Sequence, residues 1–224
     1  MRPPAELGFR PAESHAGRQF VLALRSLPEA MVVVRDDRGI MLECNDAYAA
    51  FVGLPASELI GKQAGTVGTT PQSKPFIFKY LRPVFEQNME ATHWLLIGGR
   101  RHLARAWPLS REEWATPGYA AVIIPTNRAG EDIEAGLSTE RTLGPLEDLS
   151  PTELAVLYHF AKGLTRTQIA QVMSRSEHTV HEHFKGIHAK MNISRQQDLA
   201  ALVADLGLRG FTPHQWRLLT GAPV

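Results

Sequence analysis

The spacing of hydrophobic and polar residues divides this chain into two parts. Between residues 20 and 125, short apolar runs alternate with turn residues, as in AMVVV, IMLEC, THWLLIG, RHLARAWPL and GYAAVIIP. Runs of this length bounded by turns predict β-strands. Helices are predicted at VLALRSL, after Asn45, and around Phe76, Tyr80 and Val84. The pattern therefore predicts an α+β domain with an antiparallel sheet.

Two segments lack such a pattern. Residues 1–19 contain three prolines and few large apolar side chains, so we expect a flexible arm. Residues 126–146 contain three glycines, a proline and mixed charges, so we expect a linker, with a short helix around Glu131 to Ala135.

Helix signals dominate residues 147–210. Capping boxes begin at Ser150 and Thr165, and Ser176 and Ser194 can cap two further helices. Glycines at 163 and 207 are placed to end the first and last helices. These signals predict an all-α domain of four short helices. Only about two residues separate the middle pair, which is the layout of a helix-turn-helix, at about 166–185.

The third predicted helix, residues 177–191, has two distinct faces. Val180, Phe184, Ile187 and Met191 form one apolar stripe. The opposite face is polar and contains His178, Glu182, Lys185 and Ala189, with His181 and His188 beside Lys185. A helix that packs on one side and presents donors and acceptors on the other suits the DNA major groove.

Charge and composition narrow the function classes. The net charge is only +1, but residues 162–195 carry six cationic against two acidic residues, which predicts a local basic patch. One cysteine and no long apolar segment predict a protein of the cytoplasm that does not enter the membrane. We find no nucleophile elbow and no phosphate-binding glycine loop, so no enzyme is predicted.

The run LSPTELAVLYHFAKGLTRTQIAQVMSRSEHTVHEHFKGIHAKMNIS, from Leu149 to Ser194, resembles the LuxR-type helix-turn-helix of bacterial transcription regulators. The resemblance implies a DNA-binding domain in which positions 181 and 185 meet bases. Three positions depart from the family pattern. His181 replaces a lysine, Arg175 replaces an apolar turn residue, and Gln196 replaces an arginine that supports the fold.

The run LPEAMVVVRDDRGIMLECNDAYAAFVGLPASELIGK, residues 27–62, resembles the start of a PAS sensor domain. This resemblance implies that residues 20–125 bind a small molecule or mediate dimerisation. The flavin-binding segment of light sensors is missing. A phosphorylated receiver domain is disfavoured, because the later strands lack its second aspartate and its lysine.

Together these features predict a transcriptional regulator that binds double-stranded DNA as a homodimer. The predicted base-reading residues are His181, Glu182 and Lys185. The fourth helix offers apolar positions for a dimer interface, and the tail at 211–224 contains a short helix of open role. The remaining predicted DNA contacts are Thr165, Arg166, Thr167, Ser176, His178, Thr179 and Lys190, and the predicted dimer residues are Leu199, Leu202, Val203 and Leu206.

Alternative functions remain open at this point. The helical domain could dock on RNA polymerase or another protein, as sigma-like modules do, or the chain could be a ligand-binding protein that has lost DNA binding. No cofactor is predicted, with haem on His93 or His102 as a minor alternative. The histidines of residues 178–188 are not spaced for three ligands on one face, which disfavours a metal site.

Overall fold

The structure is a computed structural model, and it describes residues 29–63, 66, 81–109, 114, 116–126 and 135–224. Several predictions fall outside these residues: the arm at 1–19, the helix at 21–27, the positions of Phe76 and Tyr80, and residues 131–134 of the short linker helix. No helix in the described part of the chain has the length and apolar character needed to cross a membrane.

The described strands form one sheet with the order β2-β1-β5-β4-β3-β6. β1 pairs antiparallel with β2 and with β5, so that Val33 lies opposite both Cys44 and Ala121. The predicted antiparallel pairing is therefore confirmed for these three strands. The strands are β1 (Met31–Asp36), β2 (Met41–Cys44), β3 (Ala91–Ile97), β4 (Arg100–Pro108), β5 (Gly118–Pro125) and β6 (Gly136–Arg141).

Side chains fix the first turn and the helix after it. Asp36 accepts hydrogen bonds from the backbone N–H groups of Arg38 and Ile40, and Gly39 adopts the left-handed conformation that closes the turn. Asn45 caps the following helix by accepting from Tyr48 N at 3.1 Å, and it also bonds the backbone of Val32. The helices of this region are α1 (Asp46–Val52), α2 (Ala56–Leu59) and α3 (Arg82–Gln87).

The predicted linker at 126–146 contains a strand, so it is not a linker throughout. β6 is the edge neighbour of β3, and Thr142 after it accepts hydrogen bonds from Gly98 N and Gly99 N. A short 3₁₀ turn at Gly144–Leu146 follows. The local sequence gave no sign of this strand because its partner lies about 40 residues earlier in the chain.

The four α-helices predicted within residues 147–210 are present, and the short helix predicted in the tail at 211–224 is present as a fifth. The predicted caps at Ser150, Thr165 and Ser176 are confirmed. The fourth cap is wrong, because the N-cap is Arg195, without a side-chain hydrogen bond, and Ser194 lies one residue earlier. The helices are α4 (Pro151–Ala161), α5 (Arg166–Val172), α6 (Glu177–Lys190), α7 (Gln196–Asp205) and α8 (Pro213–Thr220).

By internal contacts the chain divides into two compact units. One comprises the described residues up to His93 together with Leu103–Pro125, and the other comprises Trp94–His102 and Thr126–Val224. In the second unit, Trp216 of α8 is fully buried and donates from Nε1 to Leu154 O at 3.1 Å. Tyr158 donates to Phe211 O. The tail at 211–224 is therefore part of the core of this unit.

Candidate nucleic-acid interface

The turn between α5 and α6 is fixed by the backbone. Met173 ends α5, and Ser174 adopts a left-handed conformation with φ of 52°. The N–H group of Arg175 then bonds back to Ala170 O at 2.9 Å, while the side chain of Arg175 is exposed. Ser176 begins α6 by accepting from Thr179 N at 3.0 Å. The sequence Met173 to Ser176 thus forms the tight turn of a helix-turn-helix.

The inward face of α6 is confirmed. Val180, Phe184 and Ile187 are at most 2% exposed, and Met191 is half-buried at the end of the helix. The ring of Phe184 packs edge-on against Phe160, with ring centres 5.4 Å apart. Because this stripe is buried, the opposite stripe of α6 faces outward.

The outward stripe contains an ion pair. Lys185 Nζ lies 2.8 Å from Glu182 Oε1, and both side chains are about half exposed or more. This hydrogen bond, together with the nearby His178 and His181, lowers the pKa of Glu182, so its carboxylate is charged at neutral pH. The two opposite charges largely cancel, and the outward stripe is less basic than the residue count suggests.

Arg166 connects the start of α5 to α6 and α7. Its Nη2 donates to Gln196 Oε1 at 3.0 Å, and its Nη1 lies 3.5 Å from His181 Nδ1. A guanidinium only donates, so His181 Nδ1 is the acceptor in this contact. Arg166 also lies 5.6 Å from the ring centre of Phe184. Gln196, a departure from the family pattern, thus holds Arg166 in place.

Lys190, a predicted phosphate contact, forms an ion pair within its own unit. Its Nζ donates to Glu153 Oε2 at 2.7 Å, and the same oxygen accepts from Ser150 N. Burial alone raises the pKa of Glu153, but these hydrogen bonds outweigh burial and the pKa is lowered. The ammonium of Lys190 therefore binds the start of α4, and its side chain remains partly exposed, so its contact with phosphate stays a prediction.

The predicted dimer interface on α7 also needs correction. Leu199, Val203 and Leu206 are at most 5% exposed and belong to the core of their own unit, and only Leu202 is partly exposed. The amphipathic pattern of α7 was read correctly, but its apolar face is covered by α4 and the segments after α7. These three residues are not available to a second copy of the chain.

The other predicted contacts lie at the surface. Arg166 and Lys185 are exposed, and His181 and Thr179 are half-buried. The hydroxyl groups of Thr165 and Ser176 are used as helix caps. The remaining exposed candidates are Thr167, His178 and Glu182.

His93 and His102, the two histidines considered for haem, belong to no metal-binding cluster in the described part of the chain. Within the described residues, no group of three or more His, Cys, Asp or Glu side chains is placed to hold a metal ion. Burial lowers the pKa of both His93 and His102, and His102 Nδ1 lies 2.9 Å from Arg100 O. A carbonyl only accepts, so this nitrogen carries the proton.

The turn, the buried stripe and the exposed polar stripe define a helix-turn-helix protein with a separate α+β domain. Residues 147–203 match the family of bacterial regulatory proteins described as the luxR family, and residues 18–124 match the PAS fold. Residues 147–203 are therefore a luxR-type helix-turn-helix domain and residues 18–124 a PAS domain, as the sequence predicts.

Several solved structures are similar to this chain at low identity. A Vibrio cholera VqmA–ligand–DNA complex is 19% identical with a TM-score of 0.48, covering 89% of this chain and 91% of that chain. A Vibrio cholerae VqmA dimer without target DNA is 22% identical with a TM-score of 0.43, covering 90% and 92%. The PAS domain of Bordetella pertussis BvgS is 22% identical with a TM-score of 0.39, covering 50% and 88%. No curated protein sequence matches the chain.

Proposed function

We propose that the chain is a sequence-specific transcriptional regulator in which α6 enters the major groove of double-stranded DNA. One observation carries this proposal: the buried stripe of Val180, Phe184 and Ile187 turns the polar stripe of α6 outward, directly after a tight turn. A helix of this kind, with exposed donors and acceptors, fits the width of the major groove.

The outward side chains suit a G·C-containing site. The Glu182 carboxylate accepts from cytosine N4, and the Lys185 ammonium donates to guanine O6 or N7. The ring of His181 offers Nε2 as the donor to a base, because its Nδ1 accepts from Arg166. Since Glu182 Oε1 and Lys185 Nζ are 2.8 Å apart, the two side chains read the same base pair or adjacent base pairs.

Phosphate contacts position the helix without reading sequence. Arg166, on the flank of α6, is the principal cationic candidate. The polar side chains around the turn add further candidates: Thr165, Thr167, Ser176, His178 and Thr179.

The two domains have different roles in the proposed regulator. Residues 20–125 form the sensor domain and residues 147–210 the DNA-binding domain, which works as a homodimer on two half-sites. The sensor domain binds a small molecule or mediates dimerisation. The protein is not an enzyme and acts in the cytoplasm, where bacterial DNA is located.

Fluorescence anisotropy with duplexes selected from genomic fragments tests this function. About six phosphate contacts per dimer give a slope of log K against log salt near −5. Lys185→Ala should weaken binding, whereas Lys62→Ala, on an exposed residue of the other unit, should not. If the purified chain binds RNA polymerase and no duplex, the sigma-like alternative replaces this proposal. Equal, weak binding by wild type and Lys185→Ala would instead favour a ligand-binding protein that has lost DNA binding.

A further inference from the structure

The end of the β3–β4 hairpin, Trp94–His102, belongs to the same compact unit as the helices. We call these residues the hairpin end. Gly98 and Gly99, both with positive φ, form its turn. Residues 91–93 of β3 and 103–108 of β4 belong to the other unit. The same two strands therefore take part in both units.

The hairpin end is fixed within the helical unit. Leu96 is fully buried in the core cluster of this unit. Gly98 N donates to Thr142 Oγ1 at 2.7 Å, and Gly99 N donates to Thr142 O at 2.9 Å. A Cβ on Gly99 would lie 2.6 Å from Leu143 O, so the two backbones approach too closely for a larger residue.

Strand β4 caps the C-terminal end of α7. Arg101 N donates to the carbonyl oxygen of Leu206, the C-cap of α7, at 2.8 Å. The last carbonyl groups of a helix have no partner within the helix, so this donor fills a real need. Arg100 forms an ion pair with Asp205, the last residue of α7. Positive charge at this end also complements the helix dipole.

The side chain of Arg101 fits one position. It is only 3% exposed, and its guanidinium carbon lies 3.5 Å from the ring centre of Trp94 and 5.6 Å from that of Phe211. Aromatic faces attract a cation placed in this way. A Cβ on Gly210 would overlap the guanidinium. Arg101 therefore joins the hairpin end to the segment that follows α7.

The other end of α7 reaches the candidate nucleic-acid interface. Gln196, its first residue, accepts from Arg166 Nη2 at 3.0 Å, and Arg166 Nη1 lies 3.5 Å from His181 Nδ1. The ten residues of α7 span about 15 Å, and a packed helix carries a displacement of one end to the other. α7 thus connects the hairpin end to Arg166.

We propose that Arg100 and Arg101 are positioning residues for the DNA-reading face, and that they act through α7 on Arg166 and His181. The inference rests on the proposed function and adds a route by which it is regulated. Because β3 and β4 are also strands of the sensor sheet, a sensor state that shifts these strands changes DNA affinity. A sensor ligand changes this affinity only as far as it favours one position of the hairpin end over another.

Substitutions that loosen the grip on α7 test the positioning role, with DNA affinity measured by fluorescence anisotropy on the full chain. Arg101→Ala should weaken binding of a selected duplex about threefold to tenfold. Gly210→Ala should act similarly, because Gly210 has no positive φ and its methyl group acts only by displacing the guanidinium. Arg100→Ala removes a partly exposed ion pair, which leaves the fold intact, and should weaken binding about twofold. The control Arg209→Ala removes an exposed positive charge just after α7 and should bind as wild type does.

A double-mutant cycle with Gln196→Ala separates positioning from stability. Gln196→Ala disconnects α7 from Arg166 and should itself weaken binding. In this background, Arg101→Ala or Arg100→Ala should have no further effect on DNA affinity, although each lowers the melting temperature as much as it does with Gln196 present. Equal weakening of DNA binding in both backgrounds would show that the arginines act through stability alone and would overturn the positioning role.

The coupling must also operate in reverse, because linkage between two sites is reciprocal. Binding of the selected duplex to the full chain should slow hydrogen exchange of the backbone amides of residues 98–101. The slowing should be smaller in Gln196→Ala. Unchanged exchange at the hairpin end of the wild-type complex would contradict the inference.

The outcomes distinguish this inference from the proposed function. If wild type binds no duplex, the proposed function itself fails. If wild type binds and Lys185→Ala weakens binding, but the Arg100 and Arg101 variants bind as Arg209→Ala does, α6 reads DNA without help from the hairpin end. The positioning role is then wrong while the regulator function stands.

Discussion

Gly186→Ala should destabilise the helical unit, although alanine is the better helix former. Gly186 lies within α6, and a Cβ at this position would lie 2.5 Å from Glu153 Oε1. Glu153 is only 6% exposed, and its other oxygen accepts from Ser150 N and from Lys190 Nζ, both at 2.7 Å. The new methyl group must therefore displace a carboxylate that two donors and the surrounding core hold in place.

The expected change in unfolding free energy of the Gly186→Ala variant is the sum of two opposing effects. Replacing glycine by alanine inside a helix stabilises it by about 1 kcal/mol. A hydrogen bond to a charged group contributes about 1.5–3 kcal/mol, and the bond from Lys190 lies at the low end because the lysine is partly exposed. Loss of one or both bonds outweighs the helix term, so we expect a net destabilisation of about 1–3 kcal/mol.

A double-mutant cycle with Glu153→Ala isolates this contact. Without the carboxylate there is no clash, so Gly186→Ala in the Glu153→Ala background should stabilise the unit by about 1 kcal/mol. Hydrogen exchange of peptides from α4 and α6 in the full chain measures the local stability directly. Greater protection in the Gly186→Ala single variant, or the same sign in both backgrounds, would refute the reasoning.

Four further predictions follow from the same unit. Phe184→Ala should cost about 3–5 kcal/mol in denaturant unfolding, and an unchanged transition would contradict the inward face of α6. Trp216→Ala should cost about as much, because the indole is fully buried, and unaltered exchange in α4 would show that the tail is not part of the core. Glu182→Gln should raise the affinity for unrelated duplexes. In selection from randomised sites it should also abolish a cytosine preference at one position, worth about 1–3 kcal/mol. If the preference is retained, Glu182 does not read that base. The pKa of Glu153 is lowered in the folded state. The ionised Glu153 carboxylate therefore stabilises the fold above about pH 4–5, the range in which a free glutamate protonates. This stabilisation is lost as the pH falls through the lower pKa of the folded state. Glu153→Gln should therefore reduce the decrease in unfolding free energy that occurs as the pH is lowered below about 5. The same decrease in wild type and variant would count against this role.

Most of the helix-turn-helix could be predicted because its helix caps and apolar stripe involve residues that are close together in the sequence. The caps at Ser150, Thr165 and Ser176 and the stripe at Val180, Phe184 and Ile187 depend on residues three to seven positions apart. The strand-turn-strand of β1 and β2 was likewise visible, because Asp36 and Gly39 lie within the turn that they stabilise.

The features that sequence reasoning missed are contacts between distant parts of the chain. β6 depends on pairing with β3, and Lys190 depends on Glu153, 37 residues earlier. The apolar face of α7 was visible in the sequence, but an amphipathic pattern does not tell which surface covers it. The role of Gln196 was missed because its partner, Arg166, begins another helix.

The burial of Trp216 and Phe211 in the second unit limits how this regulator can be recombined with others. A fragment that ends at residue 203, where the family match ends, would lack both aromatic rings and leave Leu154 and its neighbours uncovered. Such a chimera should aggregate, because a large exposed apolar patch promotes association. Successful exchange of the DNA-binding module therefore needs a junction that carries the tail along with the helix-turn-helix.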